Sequence, residues 1–215
     1  MRNGLRALAL GGALLAGAPG QAATLFFEDF SEEATAFGST LNFTGFDQFA
    51  VSAGTVDLIR SGGFGITCAT VGCVDLDGST GNAGLLSAPF GLQGGLTYTI
   101  SAFLSGNQRT GATETIEFGI AESGGTVAAA STTVSLAPGS AFAEYTLSYK
   151  PVADVTGSLF FQDFGNDNIG AILDRVSIAS DGQTPPPIPL PAPALLLLGG
   201  LGGLGALRAA RRVPA

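Results

Sequence analysis

The chain has 215 residues, of which 46% are hydrophobic, 33 are glycine and none is histidine or tryptophan. The lack of histidine excludes Ser-His-Asp catalysis and histidine-ligated metal centres. All 17 acidic residues lie between Glu28 and Asp181, where only four basic residues occur, so this stretch carries a formal charge of −13. Such a surface repels phosphate backbones, and we expect no nucleic-acid partner.

The N-terminus has the three-part layout of a secretory signal peptide. Arg2 and Arg6 precede an apolar run rich in leucine and alanine, and small residues close the segment. This layout predicts a signal peptide over residues 1–23, with cleavage after Ala22 or Ala23. We therefore expect the chain to use Sec-type export machinery and to fold outside the cytoplasm.

Residues 24–180 show the residue alternation of half-buried β-strands. Short runs of alternating apolar and polar residues are separated by turns rich in Gly, Asn, Asp and Ser. The clearest runs are residues 25–30, 46–52, 55–60, 96–104, 113–121, 127–136, 143–149, 155–161 and 171–179. We find no stretch of this region with a helical apolar stripe. The pattern predicts an all-β ectodomain, an antiparallel β-sandwich of jelly-roll type, with a closed barrel as the alternative.

The two cysteines, Cys68 and Cys73, are separated by four residues. In an oxidising compartment such a pair is expected to form one disulfide that closes a small loop. A zinc site is the alternative, but zinc usually takes three or four protein ligands, and the chain has no histidine and no further cysteine. The sequence therefore favours a disulfide.

Two acidic residues in the middle of the chain are candidate calcium ligands. Asp75 and Asp77 share a strand face and precede a glycine-rich turn. The stretch begins like a helix-loop-helix calcium loop, but that pattern requires glycine where Thr80 stands and glutamate where Leu86 stands. A plain turn is the alternative reading, and a catalytic pair is the least favoured.

Carboxylate-pair hydrolysis is the enzymatic option that the composition leaves open. Glu114 and Glu117 are three residues apart on a predicted strand, so their side chains should point to opposite faces. We therefore predict that the protein is not an enzyme.

Two polar segments are candidate ligand-binding loops. The candidate residues are Asn107 and Arg109 in the first segment and Asp163 and Asn166 in the second. We expect both segments at one end of the sandwich, where they could grip a glycan. Turn chemistry explains the same residue types equally well. The absence of tryptophan and the presence of only three tyrosines weaken the case for an aromatic sugar platform.

The C-terminus combines a proline-rich linker, a short apolar segment and a basic end. We assign residues 181–192 to the linker, 193–207 to a short transmembrane segment and 208–215 to a cytoplasmic tail. The tail carries Arg208, Arg211 and Arg212, and the linker ends in the motif Ile188, Pro189, Leu190, Pro191 and Ala192.

This arrangement resembles the VPLPA-CTERM tail, a variant of the PEP-CTERM sorting signals that exosortase-type membrane enzymes handle in Gram-negative bacteria. Ile188 stands where the motif has valine. The resemblance implies an exosortase-like partner and a chain that is anchored in the membrane at least transiently. The mature protein is then expected at the cell surface or outside the cell.

Residues 73–84, 96–99, 104–109 and 168–178 resemble segments of exported jelly-roll domains that often accompany such tails. That fold is shared with carbohydrate-binding modules and galactose-binding-like domains. The resemblance implies a structural Ca²⁺ held between the first and last strands, with Glu28 or Asp29 and Asp174 as ligands, and no other cofactor. Solvated turn and edge positions are the alternative for these acids.

These observations predict a non-catalytic, exported protein of the cell surface or extracellular matrix, with a structural or adhesive role. The alternative is a glycan-binding module, or a weak glycan hydrolase, at the cell surface.

Overall fold

The computed structural model describes residues 23–109, 111–122, 128–165 and 167–182. The predictions for the sorting motif, the transmembrane segment, the basic tail and Asn166 lie outside these residues, as does the signal peptide apart from Ala23. Within the described ranges, no helix has both the length and the apolar character needed to span a bilayer.

The described residues form two antiparallel sheets. The elements are β1 (Ala23–Glu28), α1 (Ser31–Phe37), β2 (Ala50–Ala53), β3 (Asp57–Arg60), a 3₁₀ turn (Gly63–Gly65), β4 (Gly72–Asp75), β5 (Leu85–Leu92), β6 (Tyr98–Ser105), β7 (Glu114–Glu122), β8 (Ala128–Leu136), β9 (Ala143–Tyr149), β10 (Val155–Asp163) and β11 (Ile172–Ser180). Sheet A has the order β3-β4-β11-β6-β9, and β1 also pairs with β11; sheet B has the order β2-β5-β10-β7-β8. The predicted antiparallel sandwich is confirmed, and the barrel alternative is not observed.

The core lies between the two sheets because side chains alternate along each strand. The inward positions of the long strands are fully or almost fully buried; they include Leu86, Ala88, Ile100, Ala102, Leu104, Ile116, Phe118, Ile120, Leu159, Phe161, Val176 and Ile178. The alternate residues of β6, β9 and β11 must therefore point away from the core. Those outward residues form one face of the molecule.

The expectation of no helix outside the targeting segments is wrong for α1. This helix has seven residues, about two turns, which is too short for an apolar stripe to repeat. Ala34 is fully buried, and Gly72 of β4 leaves room for it, because a Cβ at Gly72 would lie 2.7 Å from the Ala34 Cβ. The helix is therefore stabilised by tertiary packing on β4.

The sequence did not predict β4 and β5, and the predicted strand 46–52 is displaced. All four residues of β4 are buried, so β4 shows no alternation. Strand β5 contains Pro89 and Gly91, which usually mark turns; Pro89 is tolerated because β2 pairs only with the first part of β5. Of the predicted strand 46–52, only the end forms β2, while Phe46 and Phe49 pack into the core from a loop.

A bulge in β11 separates two neighbouring side chains. The pairing with β6 shifts between Leu173 and Arg175, which leaves Asp174 as the extra residue. Asp174 is consequently buried, while Arg175 points outward.

The predicted disulfide between Cys68 and Cys73 is confirmed. The loop that it closes presents the backbone N–H groups of Ala69 and Thr70 to Asp174 Oδ2, at 2.7 and 2.9 Å. The disulfide therefore holds the loop that satisfies Oδ2 of this buried carboxylate, while Oδ1 has no hydrogen-bond partner among the described residues.

Candidate functional site

Five polar residues meet at one end of the sandwich. Asp75 ends β4, Asp77 follows it, Asn107 follows β6, Glu114 begins β7 and Asp163 ends β10. Each is at most 4% exposed. We call these five residues the carboxylate cluster. The sequence suggested Asp75 and Asp77 as calcium ligands, and Asn107 and Asp163 as ligand-binding residues. The structure brings all four together at this end of the sandwich.

Asp75 joins three loops at this end. Its Oδ1 accepts hydrogen bonds from the backbone N–H groups of Asp77 and Gly170, at 3.2 and 2.9 Å. Its Oδ2 is paired with the Arg109 guanidinium, which also donates to the carbonyl of Asn168. Burial raises the pKa of Asp75 to about 8, although the Arg109 charge opposes the shift.

The other carboxylates of the cluster are held mainly by uncharged donors. Glu114 Oε1 accepts from Asn107 Nδ2 at 2.8 Å. Asp163 accepts from the N–H groups of Gly165 and Ala171 at 2.8 and 3.1 Å. Burial raises the pKa of Glu114 to about 7, and the nearby negative charge of Asp163 adds to the shift. Burial also raises the pKa values of Asp77 and Asp163.

The sequence does not indicate that Glu114 belongs to this cluster. The prediction that Glu114 and Glu117 point to opposite faces is confirmed, since Glu114 is buried and Glu117 is half-buried on the outer side of sheet B. No sequence signal pairs Glu114 with Asp77 or Asp163, because the three residues are brought together only by the fold.

The acids predicted near the first and last strands lie at a separate place. Thr70 Oγ1 is 3.3 Å from both the carbonyl oxygen of Asp29 and Asp174 Oδ2, so β1 and β11 meet there. Glu28 Oε1 accepts from the N–H groups of Asp29 and Phe30. Calcium binding at this place stays a prediction. Among the described residues, no three Asp, Glu or Cys side chains are arranged, as they stand, in a group that could hold a metal ion.

A second candidate site is the outer face of sheet A. It is formed by six residues: Phe27 on β1, Ser101 and Phe103 on β6, Glu144 on β9, and Arg175 and Ser177 on β11. Strand register sets them in two adjacent rows across the sheet, with Ser177 beside both Phe27 and Ser101 in the first row. The second row runs from Arg175 through Phe103 to Glu144.

These six residues, together with Thr24 and Val176, line an open pocket of about 430 Å³. Phe27 is 52% exposed, which is unusual for an aromatic side chain on a strand. The Arg175 guanidinium lies 4.2 Å from the centroid of the Phe103 ring, and Phe142 stacks on the same ring at 5.5 Å. The face therefore combines an open ring, a fixed cation, a carboxylate and two hydroxyl groups.

The sequence does not single out this face, because a phenylalanine at an alternate position of a strand is equally typical of a core residue. The signal that could have indicated this face is residue alternation along β6 and β11. It places Ser101, Phe103, Arg175 and Ser177 at outward positions. The predicted ligand-binding residues Asn107, Arg109 and Asp163 lie elsewhere.

No protein-family model and no curated protein sequence matches this chain. Among solved structures, the CBM22-1 xylan-binding domain of Paenibacillus barcinonensis Xyn10C is similar, with a TM-score of 0.52 and 12% identity, over 77% of this chain and 99% of that domain.

Two further structures show a weaker similarity. The CBM22-1 and GH10 modules of the Clostridium thermocellum xylanase 10B match with a TM-score of 0.45 and 19% identity, over 70% of this chain and 29% of that chain. A CBM4 structure matches with a TM-score of 0.43 and 17% identity, over 66% of this chain and 99% of that one. This chain thus spans less than a third of the xylanase chain. The similarity to the xylan-binding domain, at 12% identity, supports the fold alone.

Proposed function

We propose that this protein binds a glycan on the outer face of sheet A. The observation that carries the proposal is the exposed Phe27 ring beside the Arg175–Phe103–Glu144 row in one open pocket. A sugar ring has apolar C–H faces and a rim of hydroxyl groups, so it suits an aromatic surface with charged and hydroxyl side chains around it.

Two further points favour binding over the other predicted roles. The similar xylan-binding domain is a binding module of the same fold, which favours the glycan-binding alternative over a purely structural role. Glu144 is the one carboxylate among the residues described as lining this pocket, whereas glycoside hydrolysis normally uses two carboxylates that flank the scissile bond. We therefore propose a glycan-binding module and not a hydrolase.

The glycan proposal can be tested with two variants on the face and one matched control. The full-length chain is screened against xylo-oligosaccharides, cello-oligosaccharides and an array of bacterial surface glycans, and affinities for any ligand are measured by calorimetry. Phe27→Ala and Arg175→Ala should each weaken binding at least about tenfold, a loss of about 1.4 kcal/mol. Phe160→Ala removes a half-buried ring from the opposite outer face, on sheet B, and should leave the affinity unchanged.

Absence of binding to every glycan would contradict the proposed function. Loss of binding in Phe160→Ala, with normal binding in both sheet A variants, would move the site to sheet B. Circular dichroism of each variant separates lost binding from lost folding.

We further propose that the protein is exported and sorted to the cell surface. The Cys68–Cys73 disulfide supports export, because disulfides persist in oxidising compartments. In this proposal the C-terminal segment holds the chain in the membrane until an exosortase-like enzyme processes it near the Ile188–Ala192 motif.

Processing predicts that mass spectrometry of cell-surface material finds a mature chain without the arginine-rich end. A variant with Pro189→Ala and Pro191→Ala, which disrupts the motif, should keep that end and stay in the membrane fraction. Recovery of Arg212 in all of the mature wild-type protein would refute processing.

A further inference from the structure

We propose that the carboxylate cluster is a calcium-binding site, in which oxygens of Asp77, Glu114 and Asp163 close around a cradle beside Gly165. This inference does not depend on the glycan proposal, because the cluster and the outer face of sheet A share no residue. The cluster also lies apart from Glu28, which is the last residue of β1.

The cradle is defined by three oxygens around one point. A Cβ atom on Gly165 would lie 2.8 Å from Asp77 Oδ2, 3.4 Å from Asp163 Oδ1 and 3.4 Å from Glu114 Oε2. Glycine leaves this space free of side-chain atoms. An ion in front of this glycine, beyond contact with its Cα atom, would draw these oxygens in to the Ca²⁺–oxygen distance of about 2.3–2.6 Å. The side chains therefore need to contract on binding, although they do not form a closed ligand set as they stand.

Two buried oxygens of the cluster have no hydrogen-bond partner. They are Asp77 Oδ1 and Asn107 Oδ1, and both side chains are 0% exposed. Asn107 donates from Nδ2 to Glu114 Oε1, so its side-chain amide contacts the cluster directly. A buried polar atom without a partner destabilises the folded protein. A cation in the cradle would provide a partner for such oxygens.

The charge of the cluster also calls for a cation. Asp77, Glu114 and Asp163 are buried together, and the nearby guanidinium of Arg109 is paired with Asp75 instead. Like charges that are buried in one place repel one another strongly. Three carboxylates and one amide oxygen form an all-oxygen donor set, which hard cations prefer. Ca²⁺ fits better than Mg²⁺ because it accepts irregular geometry and bidentate carboxylates.

The test measures CaCl₂ binding to the full-length chain by calorimetry after removal of metals with a chelator. Gly165→Ala fills the cradle and keeps every carboxylate; Gly165 has an ordinary φ, so alanine strains no backbone there. Glu114→Gln removes one charge and keeps the side-chain volume. Both variants should lose one bound calcium per chain or bind it at least about tenfold more weakly, since affinity follows ligand charge and geometry. The matched control is Gly91→Ala, where a Cβ would meet open space, and its calcium binding should be unchanged.

Three outcomes would overturn the proposal. Unchanged calcium binding in Glu114→Gln and in any folded Gly165→Ala protein would overturn the proposal, as would a wild-type chain that binds no calcium. A variant Asp174→Asn reports on the separate place between β1 and β11. If Asp174→Asn abolishes all calcium binding while the cluster variants keep it, the ion belongs to that place and the cluster proposal is wrong. Circular dichroism identifies variants that fail to fold, in which case Glu114→Gln alone decides.

Discussion

Replacing Asp75 by alanine is expected to lower the free energy of unfolding by about 2–4 kcal/mol, because two buried backbone N–H groups lose their acceptor and each such loss costs about 1–3 kcal/mol. Asp75 is 1% exposed and ties together three segments through the N–H groups of Asp77 and Gly170 and the guanidinium of Arg109. Alanine leaves two buried N–H groups without an acceptor, whereas the exposed Arg109 side chain can be hydrated by water. Urea denaturation of the full-length chain measures the loss.

Two further variants show which contact matters. Asp75→Asn keeps one carbonyl oxygen for the two N–H groups but presents an amide to Arg109, so an intermediate loss is expected. The control Asp47→Ala removes an exposed acid and should change stability by about 0.5 kcal/mol or less. A loss below about 1 kcal/mol in Asp75→Ala would show that the loops do not depend on this carboxylate.

Gly119→Ala is expected to destabilise the protein by at least about 3 kcal/mol, above the usual cost of overpacking. Gly119 lies in the middle of β7, opposite Ser131 of β8. A Cβ there would lie 2.1 Å from the carbonyl oxygen of Ala130 and 2.7 Å from the Ser131 Cα. Both obstacles are backbone atoms, so relief requires β7 and β8 to separate. Thermal and urea unfolding measure the effect.

Gly91→Ala provides a matched comparison within sheet B. Gly91 is also a strand glycine with ordinary φ, but a Cβ at Gly91 meets nothing within 4 Å. Alanine should therefore be neutral or stabilise by about 0.4–1 kcal/mol, because it restricts the unfolded chain. Equal stability of the two variants would mean that β8 does not approach β7 as closely as described.

One strand positions both the buried Asp174 and a residue of the outer face of sheet A. The bulge in β11 sends Asp174 inward to the disulfide loop and Arg175 outward to the ring of Phe103. Without the extra residue, strict two-residue alternation would set Asp174 and Arg175 opposite other residues of β6. The outer face of sheet A therefore depends on a backbone irregularity as well as on residue types.

Part of the candidate sites could be predicted from the sequence because the relevant signals are local. Spacing alone indicated the Cys68–Cys73 disulfide, and turn composition pointed to Asp75, Asp77, Asn107 and Asp163. These residues follow or end strands, where polar residues are required whatever the fold. The sequence could not show that Asp77 and Asp163 face each other, since 85 residues separate them along the chain.

The sequence by itself determined the sandwich class and the small disulfide loop, because a two-residue apolar period and a short cysteine spacing are properties of neighbouring residues. Only the tertiary structure decided that α1 forms, that β4 is a fully buried strand, and that Phe27 lies beside Arg175 rather than in the core. These features depend on strand order and register, which bring distant segments together and have no local signature.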